Sequence, residues 1–381
     1  MPFIKRDLLP LLQSHRPPKA CVLFGPRRTG KTTLLRELSR QQNVSWFNGD
    51  NSLEVAQNLD LPTGAAIRSL LMNSKTIVID EAQRVPGIGL LLKRLVDENE
   101  QLENPVNIFA TGSSAFELAA GVKESALGRW REYNAWPLSM AELAADSSWV
   151  NALLNVDTRI VYGMYPEICT DPEYARDNLI SHCQSLLFKD IFNLSSIRYS
   201  SKFETLVKLL AYNIGSVVNY DNLSRETGLS RPTVMEYIRL LEQCFVVKVC
   251  HSYAKNLSNE LKKSKKIYFC DTGIRNAVIE DFSPLASRAD AGALWENFFF
   301  MERVKFHSLR RDYARIHFWR TSGRQPREID FVEVIDNKMR AFECKLSEKA
   351  KSRSHEIFTK AYPDCTVDVV SPQDLMRIWQ A

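Results

Sequence analysis

No apolar run in this chain approaches the length of a membrane span, so a spanning helix is not expected. The first residues, Met1-Pro-Phe-Ile-Lys-Arg-Asp7, lack the apolar stretch and small-residue cleavage site of a secretory signal. The eight cysteines are scattered and none forms a CxxC pair, which argues against a zinc site and against a disulfide framework. Internal repeats and low-complexity segments are missing as well. Charge of one sign is scarce: the formal net charge is +5, enough to permit a nucleic-acid partner but too little to argue for one. These absences point to the cytoplasm and to reduced thiols.

What is present is ordinary globular composition, 45% apolar and 25% charged, on 381 residues. That length exceeds one ordinary core, so two or three domains are expected. Lys19–Phe24 reads as a buried strand, followed by a glycine-bearing loop and a helical pattern through Leu34, Leu35 and Leu38. Further strands are expected at Val44–Phe47, Thr76–Ile79 and Val106–Ala110, with an extended stretch near Glu132–Ala135. Strands alternating with helices predict a mostly parallel sheet covered on both faces, an α/β domain over residues 1–150. Residues 151–215 read as a helical lid or linker, 216–255 as a winged-helix-like segment and 256–381 as a second, smaller α/β unit.

The loop Gly25-Pro26-Arg27-Arg28-Thr29-Gly30-Lys31-Thr32 fits GxxxxGK[ST] at every fixed position. Such a loop turns backbone N–H groups onto phosphates, and the helix that follows, through Thr33, offers its positive end to the same anion. ATP with Mg²⁺ is the expected ligand. Lys31 is expected on the β and γ phosphates and Thr32 on the metal. Arg27 and Arg28 either touch phosphate or face solvent. Ile77-Val-Ile-Asp80-Glu81 supplies an apolar strand ending in two carboxylates, Asp80 for the metal and Glu81 to orient and deprotonate the attacking water. Ala110-Thr-Gly-Ser-Ser114 ends the next strand in hydroxyls. Ser113 is the choice to sense the γ-phosphate, with Thr111 and Ser114 behind it and a helix N-cap as the competing use. Arg129 is either an arginine supplied to the γ-phosphate, in cis or across a subunit boundary, or an ordinary surface residue.

Taken together, the phosphate loop, the Asp-Glu strand, Thr111-Gly-Ser-Ser114, Gly128-Arg129, Met164-Tyr-Pro-Glu167 and Asp271-Thr-Gly273 resemble the prokaryotic AAA-type ATPases fused to a C-terminal domain of unknown function. The resemblance spans nearly the whole chain. It implies an AAA-like core, then a helical and winged-helix segment, then a region similar to the PD-(D/E)xK nuclease fold.

Asp330 lies in Arg327-Glu-Ile-Asp-Phe, and Glu343 and Lys345 lie in Ala341-Phe-Glu-Cys-Lys. Strand alternation puts Glu343 and Lys345 on one face, where an adjacent strand can bring Asp330. Two carboxylates can hold a metal ion and the lysine can polarise water. Glu296 matches the acidic residue that such folds place on the helix before the strands. Either this second site cleaves DNA, in which case Lys345→Ala abolishes nicking, or the nuclease fold is vestigial. In Tyr220–Tyr237, Gly228 suits the turn of a helix–turn–helix and Ser230 the cap of its second helix. Arg231, Thr233 and Tyr237 are candidates to meet a groove, and a basic run covers Lys262, Lys263, Lys265 and Lys266. The leading expectation is an ATPase working on DNA in repair, recombination or defence, as a homo-oligomer. The alternatives are a nucleotide-gated protein-binding switch and an ATP-dependent nuclease.

Overall fold

The computed structural model describes residues 4–40, 43–61, 63–112, 128–191, 197, 199–253, 264–321, 325–347 and 353–380. The chain divides into two compact units, Lys5–Trp136 and Pro137–Ala381 with the first four residues. Among the described residues no helix is long and apolar enough to cross a membrane.

The first unit is built on five strands: β1 (Ala20–Phe24), β2 (Val44–Asn48), β3 (Thr76–Asp80), β4 (Asn107–Gly112) and β5 (Trp130–Asn134). They run parallel in the order β2-β3-β4-β1-β5, so β4 is inserted between the phosphate-loop strand and the Asp-Glu strand. Every residue of β1 and β3 is buried, which is why both read as unbroken apolar runs rather than alternating ones. The helix Ile88–Asn99 turns Leu91, Leu92, Leu95 and Val96 inward at helical spacing. Parallel strands bring all their C-terminal ends to one edge, and there the phosphate loop, Asp80 and Thr111 meet.

The second unit begins with a run of helices from Met140 and continues into a six-stranded mixed sheet. Its strands are β6 (Val247–Ser252), β7 (Lys265–Phe269), β8 (Arg315–Arg320), β9 (Glu328–Ile335), β10 (Lys338–Cys344) and β11 (Thr366–Val370), in the order β11-β10-β9-β8-β6-β7. The strand expected at Cys244–Cys250 forms at Val247–Ser252, paired with β7 on one side and β8 on the other. That pairing ties the helix–turn–helix segment to the C-terminal strands across residue 255, and residues 137–381 cluster as one unit.

The helix Ala291–Arg310 is buried along most of its length and carries the core. Trp295, Phe299 and Phe300 meet Tyr268, Phe331 and Phe342 at ring-centroid distances of 4.5–5.6 Å. Each such aromatic pair adds about 0.5–1.5 kcal/mol beyond area burial. On the other side of the sheet, Phe358 of the helix Arg353–Ala361 packs with Ile329, Val332, Val334 and Ala341. The sheet therefore has two distinct faces, and each polar side chain on β9 and β10 belongs to one or the other.

Candidate nucleotide site and the C-terminal carboxylates

The phosphate loop is shaped by two glycines and braced from outside. Gly30 takes φ +85°, a left-handed conformation that a side chain would strain, as it opens the helix Lys31–Leu38. A Cβ on Gly25 would collide with the Ala135 carbonyl oxygen at the end of β5. Thr29 is fully buried and its hydroxyl donates to the Pro26 carbonyl at 2.9 Å. Arg6 donates to the Thr29 carbonyl and to the Trp136 carbonyl, 2.7 Å each, and so pins the loop to the strand edge.

The chemistry sits behind that loop. Lys31 is buried and its ammonium donates to the Gly25 and Pro26 carbonyls at 2.8 Å, coiled over the loop it is expected to serve. The Thr32 hydroxyl donates to Asp80 Oδ2 at 2.8 Å, and the Thr111 hydroxyl donates to Asp80 Oδ1 at 2.5 Å. Thr111 in turn accepts the Glu81 backbone N–H at 3.0 Å. Glu81 has φ +49°, ψ +43°, a left-handed backbone rare for a side-chain-bearing residue, and Gln83 donates to its Oε2 at 2.5 Å. Gly49 fits against this turn, where a Cβ would strike the Glu81 carbonyl. Thr32 and Asp80 face each other as hydroxyl and carboxylate, the oxygen donors a hard cation takes, so the residues fit Mg²⁺. Arg27 is half-buried, Arg28 exposed with φ +62°, and Thr33 exposed.

Ser113 and Ser114 lie outside the described residues. Thr111, ranked behind Ser113 from sequence, is the hydroxyl seen on Asp80. Arg129 is placed far from the loop. Its carbonyl accepts the Ala20 N–H at the start of β1, so roughly 13–16 Å of strand separates it from the phosphate end. Its guanidinium pairs with Asp97 at 2.6 Å. A role in cis is therefore ruled out by position, and only a role in trans is left.

In the second unit the expected cluster of Asp330, Glu343 and Lys345 is split. His317 on β8 pairs with Val332, yet Trp319 pairs with Ile329, so two steps on β8 span three on β9. That bulge turns Asp330 toward the helix Ala291–Arg310, the side to which Phe331 also points. Asp330 accepts the Cys344 N–H at 2.8 Å. Burial and the neighbouring Glu296 push its carboxyl up to about 7, against the pull of Lys266, the Cys344 N–H and Lys345. Glu343 lies on the other side, bonded to His355 and, at 2.7 Å, to Lys345. Alternation by twos is correct for Glu343 and Lys345 and fails at Asp330 because β9 carries one extra residue. Among the described residues no three of His, Cys, Asp and Glu form a group able to hold a metal ion.

The groups that do surround Asp330 include one that sequence placed elsewhere. Lys266, counted in a basic run, is only 2% exposed. Its ammonium lies 3.0 Å from Glu296 Oε1 and 2.5 Å from Glu328 Oε1. Burial pulls its pKa down, but Glu296 and Glu328 more than restore it, leaving the lysine charged and above its usual value. Tyr268 donates to Glu296 Oε1 at 2.5 Å.

The helix–turn–helix forms as expected, with helices Tyr220–Thr227 and Arg231–Gln243. Gly228 is left-handed at φ +64°, and Ser230 accepts the Thr233 N–H. Tyr237, however, is buried against Phe203 and cannot reach a groove. Arg231 pairs with Asp221 at 3.3 Å and Arg239 with Glu236 at 2.6 Å.

Residues 17–144 match a family model described as an AAA domain. The first unit is an AAA-type P-loop domain. Residues 153–285 and 291–376 match two models each described as a domain of unknown function, DUF8612 and DUF4143. Uncharacterized proteins of Mycobacterium bovis and Mycobacterium tuberculosis are each 26% identical over 340 residues, 87% of this chain and 71% of theirs. An uncharacterized protein of Haemophilus influenzae is 25% identical over 282 residues, 68% of each chain. Among solved structures, a Walker-type ATPase of Pyrococcus abyssi has a TM-score of 0.46 at 14% identity, over 72% of this chain and 93% of that one. The replication initiator DnaA bound to AMPPCP and single-stranded DNA has a TM-score of 0.30 at 14% identity, over 62% and 85%.

Within the AAA-type unit, sequence missed Arg6, which gives no local signal because it acts on a loop more than twenty positions away. Gln83, two residues past Glu81, was within reach of the motif. In the second unit Lys266 had a usable signal, since it alternates with Tyr268 on a strand whose aromatic residues must face inward.

Proposed function

We propose that this chain is a Mg²⁺-dependent ATP hydrolase of the AAA type that uses turnover to act on DNA. The observation that carries the hydrolase reading is the unbroken hydrogen-bonded line Thr32–Asp80–Thr111–Glu81 at the mouth of the phosphate loop. In it Thr32 and Asp80 would hold the metal, whose contribution is to neutralise charge on the phosphates. Lys31 exchanges the Gly25 and Pro26 carbonyls for phosphate oxygens. Thr111 fixes the Asp80 carboxylate and the backbone of Glu81. Glu81, steadied by Gln83, takes the proton of the attacking water.

Support for DNA comes from the helix–turn–helix and its exposed Arg231 and Arg239. DNA binding is expected to weaken steeply with salt, because the contacts would be to phosphates. The test is ATP turnover with and without linear, single-stranded and branched DNA, and stimulation by any of them is the expected result. A second reading has its own observation. Both arginines are already paired with carboxylates and Tyr237 is core, which favours a nucleotide-gated switch that binds protein. Turnover indifferent to every DNA, with no DNA binding at low salt, would select this reading.

Arg129 acts, in this proposal, on the nucleotide of a neighbouring subunit after leaving Asp97. Arg129→Ala should lower turnover by roughly 10³-fold while nucleotide affinity holds. Light scattering showing a fully active monomer, with Arg129→Ala turning over normally, would remove both the finger and the oligomer.

A further inference from the structure

The acidic residues around Asp330 form a cell that is already charge-balanced by protein. Glu296 stands on the helix Ala291–Arg310, and Glu328 and Asp330 on β9. Lys266 enters from β7, and its ammonium lies within ion-pair distance of both glutamates. Arg320 stands 3.7 Å from the second oxygen of Glu328, and Tyr268 donates to Glu296. The two cations match the two glutamates. Asp330 is left with the Cys344 N–H as its donor. Beneath the ammonium lies the Phe318 ring, 5.4 Å to its centroid, a surface that favours a cation.

We infer that Lys266 is the resident cation of this cell, standing where a divalent metal would bridge Glu296, Glu328 and Asp330, so that the second unit holds no metal there. A metal ion entering the cell would bring two positive charges to carboxylates that already have counter-ions. It would have to drive a buried ammonium out of its pairing, leaving an unpaired charge in low dielectric. Nor does the other carboxylate offer a way around this. Glu343 is bonded to Lys345 and His355, on the opposite face of the sheet. The inference does not depend on the ATPase reading, because every group in it belongs to the second unit.

The test is Mn²⁺ binding to the full chain without nucleotide, followed by the loss of the free-ion paramagnetic resonance signal. Asp80→Asn is included in every sample so that the first unit adds no site. The isotherm of this chain should be unchanged by Glu296→Gln with Glu328→Gln. Lys266→Met should gain a Mn²⁺ site, and adding Glu296→Gln to it should abolish that site. A Mn²⁺ site present with Lys266 in place and lost in the double glutamine variant would overturn the inference. That arm does not require Lys266→Met to fold. Mn²⁺-dependent DNA cleavage lost on Asp330→Asn would overturn it as well. If Lys266→Met folds, with an unchanged circular dichroism spectrum, and gains no Mn²⁺ site, the cell is an ion-pair network and not a filled metal site, and the inference fails.

Discussion

Glu81→Gln will bind ATP nearly as well as the unchanged chain and turn it over about 10²–10⁴-fold more slowly, the range lost when a positioned general base is removed. The substitution is nearly isosteric. Gln83 donates to Glu81 Oε2, and an amide oxygen can accept the same bond, so the side chain keeps its place. The left-handed backbone at position 81 is held by Thr111 on its N–H and by the close approach of Gly49, neither of which touches the carboxylate. What is lost is the ability to take a proton. Lys31→Ala separates binding from chemistry: its buried ammonium is the cation at the loop, so nucleotide affinity itself should fall. Equal turnover in Glu81→Gln would hand the base role to another group, and an unchanged affinity in Lys31→Ala would remove the phosphate site as drawn.

The two units differ in how much of this could be read from sequence, and the difference is one of range. The phosphate loop is contiguous: glycines, lysine and hydroxyl sit within eight residues, and the chain needs only a strand before and a helix after to present them. Asp80 and Glu81 are legible for the same reason, as the end of a buried strand. The insertion of β4 between β1 and β3, which brings Thr111 onto Asp80, depends on strand pairing across more than eighty residues. No local pattern encodes it. The second unit depends on such pairing throughout. A strand period of two predicted the face of Glu343 and Lys345, but one extra residue in β9 moved Asp330 to the opposite face. Lys266 looked like part of a solvated basic run because its two glutamates are thirty and sixty-two positions away. A buried charge is identified by its partners, and partners distant in sequence are invisible until the sheet forms.

The same reasoning gives the largest expected loss of stability, at Asp271. Met164-Tyr-Pro-Glu167 and Asp271-Thr-Gly273 carried the resemblance without disclosing a role, and the structure joins them. Asp271 is buried and its Oδ2 accepts the Met164 N–H at 2.7 Å. Its Oδ1 accepts the Ile274 N–H at 3.1 Å, capping the buried helix Thr272–Val278. That helix is then locked in place, with Asn276 donating to the Val161 carbonyl at 2.7 Å and Arg275 to the Ala211 carbonyl at 2.8 Å. Gly163 and Gly273 leave room for the approach: a Cβ on the first would meet the Asp271 carboxylate, and on the second the Tyr162 carbonyl. Asp271→Ala removes a helix cap and orphans a buried N–H, together roughly 2–5 kcal/mol. Asp271→Asn keeps one acceptor oxygen and should fall between. Gly273→Ala forces backbone against backbone, which no rotamer can relieve, and belongs with the larger losses. Urea unfolding followed by tryptophan fluorescence should show the second unit's transition moving to lower denaturant in the order Asn, then Ala. If Asp271→Ala unfolds with the unchanged chain, Asp271 is not a structural joint, and a buried carboxylate that burial already penalises must be retained for chemistry.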